Sequence, residues 1–439
     1  MAFFDTIKTT FKTPGLRNKV FYTLFILLIF RLGSHITAPF VNTSGLMSAM
    51  GDSSNTFFGY LNLMSGGAFD KATIFALSIT PYINASIIVQ LLTVAIPALE
   101  RIAIEGVAGR KKLKKITRYL GIGLALVQGA GLYVTLMNMQ AVQWNLLEFI
   151  VIVLTFTAGT AFIVWLGEVI TEKGLGNGVS MIIFAGIVTR IPSGIVTVYQ
   201  QFLSNGLTAK GLGITAAITI VAIAAIVFVI FFTEAERRIP VQYAKRVVGR
   251  KMYGGQRTNI PIKIAAGGVM PIIFASSIMA FPATIVRLVS GGNMPQEGIG
   301  YYILGCLSAG YSSAAWTSVV YAVLYFLLII FFTYFYSTIQ FNPIELSNQL
   351  KKNGGVIPSK RPGKQTSDYI AGVTSRLNLI GSIFLGIIAV LPVVFGAVFK
   401  IQGMQIGGTS LLIMEGVALE TVRQIESQMV TRNYKGFLN

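Results

Sequence analysis

Long apolar runs separated by short polar connectors dominate the chain, and ten of them approach the roughly 20 residues a helix needs to cross the hydrocarbon of a bilayer. They fall near 20–38, 72–98, 116–138, 146–170, 178–199, 211–233, 264–289, 316–338, 377–399 and 408–429. This pattern predicts an all-α polytopic membrane protein with ten transmembrane helices. One run is unusual. From Leu61 to Ala98 it reads LNLMSGGAFDKATIFALSITPYINASIIVQLLTVAIPA, with a Gly-Gly hinge at its entrance and Pro81, Asn84 and Gln90 inside it. Irregular backbone at membrane depth must be buried in protein or face a water-filled cavity, so such a helix is built to line something.

Composition agrees. Of 439 residues, 54% are hydrophobic and 12% charged, where a soluble domain carries about a quarter charged residues. The first apolar run follows 19 polar, amphipathic residues and continues as a full span, so no cleavable signal peptide is expected. The single cysteine, Cys306, excludes an intrachain disulfide framework, and no Cys/His grouping has metal-ligand spacing. His35 is the only histidine and sits at the end of the first span, where an interfacial polar residue is expected rather than part of a catalytic triad. No Walker phosphate loop or other catalytic grouping is present, so neither an enzyme nor a cofactor site is expected.

Charge orients the spans. With both termini on the cytoplasmic side, the outer side keeps six basic residues, Arg31, Lys71, Arg190, Lys210, Arg287 and Lys400, leaving 29 of the 35 Lys and Arg inside. Basic segments resist translocation, which is why cytoplasmic loops collect them. The net charge of +19 is mostly this topology signal and calls for no dedicated nucleic-acid recognition.

The inner charges cluster in three loops: Gly109 to Lys115, Glu234 to Lys263 and Gln340 to Arg376. The last two exceed the usual helix connection of about 2 to 8 residues, and long loops tend to be functional. In the middle loop, the alternation in VQYAKR followed by a Gly pair predicts an extended finger with Lys245, Arg246, Arg250 and Lys251 at its tip. The third loop holds Arg361 before Pro362 and Gly363. Such tips are either simply solvated, orienting charges or a docking platform for a partner with an acidic or phosphate-rich surface.

Ten spans divide into five and five, residues 1–204 and 205–439. An odd number per half makes the second half start from the opposite side, so a structural repeat has to be inverted, as in transport proteins whose broken helices meet at a central path. A solute transporter would place ionisable groups at the midplane, and few are available. Instead, Ile79 and Ile83 flank Pro81, Ile183 and Ile187 flank Phe184-Ala185-Gly186, Val269 and Ile273 flank Pro271, and Ile413 follows GGTSLL. These are either ordinary packing positions or a hydrophobic constriction that holds back ions and water.

The motifs FRLGSHI, NLMSGGAFDKATIFALSITPYINASIIVQLLT, GRKKLKKITRY, EKGLGNGVSMIIFAGIV, ERRIPVQYAKR, GVMPIIFASSIMAFPATI, FNPIELSNQLKKNGG, RPGKQT and GGTSLLI, in this order over nearly the whole chain, resemble the SecY family, the channel subunits of bacterial protein secretion. The resemblance implies two inverted five-helix halves around a central pore that passes unfolded secretory polypeptides across the bacterial plasma membrane and releases membrane helices laterally between spans two and seven. It makes Ile79, Ile83, Ile183, Ile187, Val269, Ile273 and Ile413 candidates for the pore ring. It makes Leu61, Asn62, Leu63, Met64, Ser65, Gly66, Gly67, Ala68, Phe69 and Asp70, continuing to Thr73, the plug that seals the outer funnel.

The same resemblance assigns Lys245, Arg246, Arg250, Lys251 and Arg361 to docking of the motor ATPase SecA and of the ribosome with its RNA surface. It implies SecE as a clamp on the two halves and SecG as a peripheral partner, besides signal sequences, translocating chains and membrane lipids. Intact RPGKQT and GGTSLLI favour the general channel over an accessory Sec channel for specialised substrates, and the missing midplane charge pair disfavours a secondary transporter. Glu415 departs from the family pattern: it lies two residues past Ile413, in a stretch that is usually apolar.

Overall fold

The computed structural model describes residues 11–42, 66–192, 195–196, 199, 209–243, 246–248, 251–253, 257–264, 267–289, 298–308, 315–399 and 408–435. Its helices are α1 (Pro14–Gly33), α2 (Thr80–Ala95), α3 (Pro97–Ile104), α4 (Val107–Asn138), α5 (Leu146–Lys173), α6 (Gly178–Val188), α7 (Ala209–Glu234), α8 (Met270–Val289), α9 (Ile299–Leu307), α10 (Ala315–Gln340), α11 (Pro343–Lys352), α12 (Lys364–Phe399) and α13 (Gly408–Lys435). Between α7 and α8 lie strands β1 (Glu236–Tyr243), β2 (Arg246–Val248), β3 (Lys251–Tyr253) and β4 (Arg257–Lys263), and β5 (Gly355–Val356) follows α11. Each of the ten predicted stretches contains a helix. Among the described residues, four helices are long and apolar enough to cross a membrane, and a fifth crosses if the pair α2 and α3, bent by 101°, is one span.

Two boundaries differ from the sequence reading. The basic run Arg110–Lys115 is the beginning of α4, not a loop. Lys and Arg are good helix formers and the run lacks Gly and Pro, so the helix continues beyond the point where hydropathy falls. Lys114 and Arg118 on it reach Glu168 of α5, each at 3.4 Å. Conversely, α2 starts at Thr80, eight residues after the predicted span begins at 72, because 66–79 are turns with positive φ at Gly66, Gly67, Ala72 and Ser78.

Contacts divide the chain into two units. The first comprises Met1–Thr215, Ser277–Tyr321 and Val393–Asn439. In it, the irregular stretch before α2 is buried by its neighbours. Phe75 stacks on Phe30 of α1 (5.9 Å) and on Phe162 of α5 (6.1 Å). A Cβ on Gly33 would fall 2.1 Å from the Phe75 ring, and one on Gly159 would fall 1.9 Å from the Ile74 carbonyl oxygen. These two glycines leave the groove that a non-helical backbone needs. The loop between α5 and α6 is held from two sides: the amide of Leu175 donates to Thr23 Oγ1 of α1 (3.1 Å), and that of Gly176 donates to Gln424 Oε1 of α13.

The second unit comprises Ala216–Ser276 and Ala322–Pro392. Phe232 of α7 stacks on Phe384 of α12 at 3.9 Å. Asn378 of α12 donates to Ser337 Oγ of α10 at 2.7 Å, an interhelical polar contact of the kind that links helices in lipid. Beside its helices this unit carries a small β-structure. β1 pairs antiparallel with β4, Glu236 opposite Lys263 through Gln242 opposite Arg257, and on its other edge with β5, Gln242 opposite Val356 and Tyr243 opposite Gly355. Period-2 alternation puts Ile239 and Val241 inward on β1. They share a core with Ile262, Leu350, Ile357 and Ile370.

Candidate functional site

The described part of the predicted plug is seated, not loose. Gly66 and Gly67 lie in the left-handed region, φ 64 and 91, which side chains with a Cβ rarely adopt. A Cβ on Gly66 would lie 2.9 Å from Gly186 Cα, so the segment passes α6 backbone to backbone where that helix carries its Phe-Ala-Gly triplet. Two guanidinium groups then hold it. Arg31 Nη1, at the end of α1, donates to the Gly66 carbonyl at 3.1 Å, and Arg190 Nη2, just past α6, pairs with Asp70 Oδ2 at 2.9 Å. The two arginines are among the six basic residues that the sequence reading puts on the outer side, against the charge rule. Their position has a local cause.

Ala68 and Phe69 are buried, and Phe69 joins a core with Leu132, Tyr133, Leu136, Ile152 and Phe156 of α4 and α5. The chain is fixed further by pairing with 36–38: Ala38 N donates to Ala72 O and Ile74 N to Ile36 O, both at 3.0 Å. The predicted plug stretch 61–73 therefore includes a packed part, Ala68–Thr73 with only Lys71 exposed, behind the two glycines. Leu61, Asn62, Leu63, Met64 and Ser65 lie outside the described residues.

The predicted ring residues sit at helix starts and on buried faces. Ile79 precedes α2, and its carbonyl accepts from the amides of Tyr82 and Ile83, each at 3.1 Å. Val269 precedes α8 in the same way, accepting from Ile272 at 3.1 Å and Ile273 at 3.2 Å. Each helix has proline at its second position, Pro81 or Pro271, and each start follows a residue of positive φ, Ser78 (52) or Gly268 (57). α2 and α8 thus begin alike, position by position, a local likeness hidden by the different side chains around it. Ile79, Ile83, Ile183, Ile187 and Ile413 are buried in the first unit, where α6 packs against α13. Val269 and Ile273 belong to the second unit, and Ile273 is buried there.

The docking candidates belong to the second unit. Arg246 and Lys251 stand on β2 and β3, an antiparallel hairpin in which Arg246 faces Tyr253 and Val248 faces Lys251. The predicted finger is therefore a hairpin; Lys245 and Arg250 lie outside the described residues. Arg361 is exposed between β5 and α12. The β2–β3 hairpin is a separate two-stranded sheet, while β5 adds to the sheet of β1 and β4, so the base of the finger loop and the Arg361 loop share one small sheet and its core. Asn342 builds the helix within it: its side chain accepts from the amides of Ile344 (3.1 Å) and Glu345 (3.3 Å), capping α11, and Pro343 occupies the first position. Glu415 is half-buried on α13, directly after the buried Ile413 turn. The residues missed by sequence reasoning are Arg31, Gly186 and Arg190. Outer cations against the topological trend were the available signal.

The family model described as SecY matches residues 73–422. The protein translocase subunit SecY of Mycobacterium bovis is 43% identical over 98% of this chain and 98% of its own length. That of Halalkalibacterium halodurans is 43% identical over 99% of this chain and 100% of its own. Among solved structures, a protein-conducting channel superposes with TM-score 0.63 at 19% identity, covering 94% of this chain and 92% of that one. A SecY channel whose plug domain stabilises the closed state and maintains a membrane seal superposes with TM-score 0.64, also at 19% identity and with the same coverage of both chains. The chain therefore belongs to the SecY family: it is a multi-pass membrane protein, a protein-conducting channel subunit of a translocase and not an enzyme.

Proposed function

We propose that this chain is the central channel subunit that passes unfolded secretory polypeptides across the bacterial plasma membrane and releases membrane helices sideways into it. In this reading ten spans form two inverted halves, 1–204 and 205–439, with both termini cytoplasmic. The matching starts of α2 and α8 support the repeat, and the loading of 29 of 35 basic residues onto one side supports the orientation. The observation that carries the reading is the seated segment Gly66–Thr73, because a whole-chain match to channel subunits coincides with a hinge and two arginine contacts at the position of the plug.

The ring is assigned to Ile79, Ile83, Ile183, Ile187, Val269, Ile273 and Ile413; all but the half-buried Val269 are buried, as apolar side chains of a dewetted seal would be. Lys245, Arg246, Arg250, Lys251 and Arg361 are assigned to the docking of SecA and the ribosome. The fold likeness to a canine Sec61 in a ribosome-channel complex, TM-score 0.61 at 18% identity, favours the latter partner. SecE and SecG complete the assembly. The test is reconstitution with SecE and SecA in vesicles: ATP-driven import of a signal-bearing chain is expected, and Arg361→Glu should abolish most of it while the complex stays assembled. A reversed charge in a desolvated contact costs on the order of 2–5 kcal/mol. Undiminished transport by that variant refutes the docking assignment.

A further inference from the structure

Arg361 is presented by a loop whose backbone is unusually well tied. Its carbonyl accepts from Thr366 Oγ1 at 2.8 Å, and its amide donates to Gln365 Oε1 at 3.3 Å. Two residues on, the Gly363 carbonyl accepts from Ser347 Oγ at 2.8 Å and from the Ser367 amide at 3.0 Å. Gly363 has φ 103, a conformation that no other residue reaches without strain, and it turns the chain into α12. Upstream, Ile357 is anchored in the core beneath the sheet. Lys360 lies over the ring of Tyr369 at 5.4 Å, and Tyr369 packs on that same core.

The donors differ from the group they hold. Thr366 and Ser347 are 3% and 2% exposed, whereas the Arg361 side chain is open to solvent, and no acidic side chain pairs with it among the described residues. Buried hydroxyls holding carbonyls of a solvent-facing loop do little for the interior, since those carbonyls could equally face water. They do restrict the loop. A charged group offered from a pre-ordered backbone loses less conformational freedom on docking than the same group on a mobile one.

We propose that Thr366 and Ser347 are positioning residues, a pair of hydroxyl clamps that fix the Arg361 turn before its acidic partner arrives. Thr366 acts on the arginine's own carbonyl, and Ser347, on α11, sets the exit of the turn. The inference rests on the docking role assigned to Arg361 above. It extends that role from the tip to two buried neutral residues that make no contact with the partner.

The experiment uses the full channel complex in lipid nanodiscs and measures SecA affinity, with ATP-driven transport at low and saturating SecA read in parallel. Thr366→Val keeps the side chain's shape and removes the donor. It is expected to weaken affinity about tenfold, the scale of loop ordering at an interface, while transport at saturating SecA falls much less. Thr366→Ser, which keeps the hydroxyl, should restore affinity. In an Arg361→Glu background, Thr366→Val should add nothing, because the group it positions is already spoiled. An unchanged affinity for Thr366→Val, a full additional loss in the Arg361→Glu background, or a failure of Thr366→Ser to restore binding overturns the clamp. Should Thr366→Val lower the amount of assembled complex, Ser347→Ala is judged by the same affinity and background criteria. If Arg361→Glu itself leaves affinity intact, the docking reading falls and the clamp falls with it, whereas a loss with Arg361→Glu but none with either clamp variant overturns the clamp alone.

Discussion

On the plug reading proposed above, neutralising the Arg190–Asp70 pair should make the resting channel leak by a calculable amount. Arg190 and Asp70 meet at 2.9 Å with side chains 21% and 37% exposed. Fully exposed pairs are worth about 0.2–1 kcal/mol. This one is partly screened from water and stands beside a second contact, Arg31 to the Gly66 carbonyl, so about 1 kcal/mol is a fair value for what it adds to the seated state. A contact made only in the closed state biases the closed-to-open equilibrium by its whole worth. Asp70→Asn or Arg190→Gln should then raise resting open probability roughly fivefold, and the effect should shrink in high salt as screening weakens the wild-type pair. Gly66→Ala should do more, since it combines a positive φ with a Cβ 2.9 Å from Gly186 Cα, and the φ alone costs about 1–2 kcal/mol. The assay is the conductance of purified channel in planar bilayers without substrate, beside export of a substrate with a defective signal sequence. The double reversal Asp70→Arg with Arg190→Asp should recover part of the seal. Unchanged leak in both single neutralisations, or a double reversal as leaky as the singles, would refute the sealing role given to the Arg190–Asp70 pair.

Phe69→Ala should destabilise the assembled protein by about 3–5 kcal/mol, because Phe69 belongs to the α4–α5 core; wild-type thermal stability in detergent would show instead that the residue leaves its site freely. Gly159→Ala should reduce folded protein, since its Cβ would meet the Ile74 backbone oxygen, whereas Gly123→Ala, with nothing within 4 Å, should be neutral or stabilise by up to about 1 kcal/mol, both read from abundance and melting temperature. Replacing Ile83, Ile187 or Ile413 by Asn should raise ion leak and relax signal-sequence demand if they line the constriction. If they are packing positions, an uncompensated amide costs roughly 1–3 kcal/mol, and lower abundance without relaxed export at all three sites rejects the ring.

Local chemistry made much of this protein legible in its sequence. Ten apolar stretches and the one-sided Lys and Arg are properties of composition along the chain, and the hairpin around Arg246 and Lys251 follows from alternation and turn residues within a few positions. Hydropathy, however, marks what avoids water and not what is helical. Residues 72–79 are as apolar as a span, yet they form turns because Gly33 and Gly159, from helices distant in sequence, make room for irregular backbone. The run Arg110–Lys115 is polar, yet it is helix because nothing in it breaks one. Two contacts were beyond any local reading. The two-residue strand β5 has no signal of its own and exists because β1, more than a hundred residues earlier, offers it an open edge. Likewise Arg31 and Arg190 are only misplaced charges in the sequence; folding brings them to Gly66 and Asp70, because hydrogen bonds and ion pairs act over a few ångströms of space, whatever the separation along the chain.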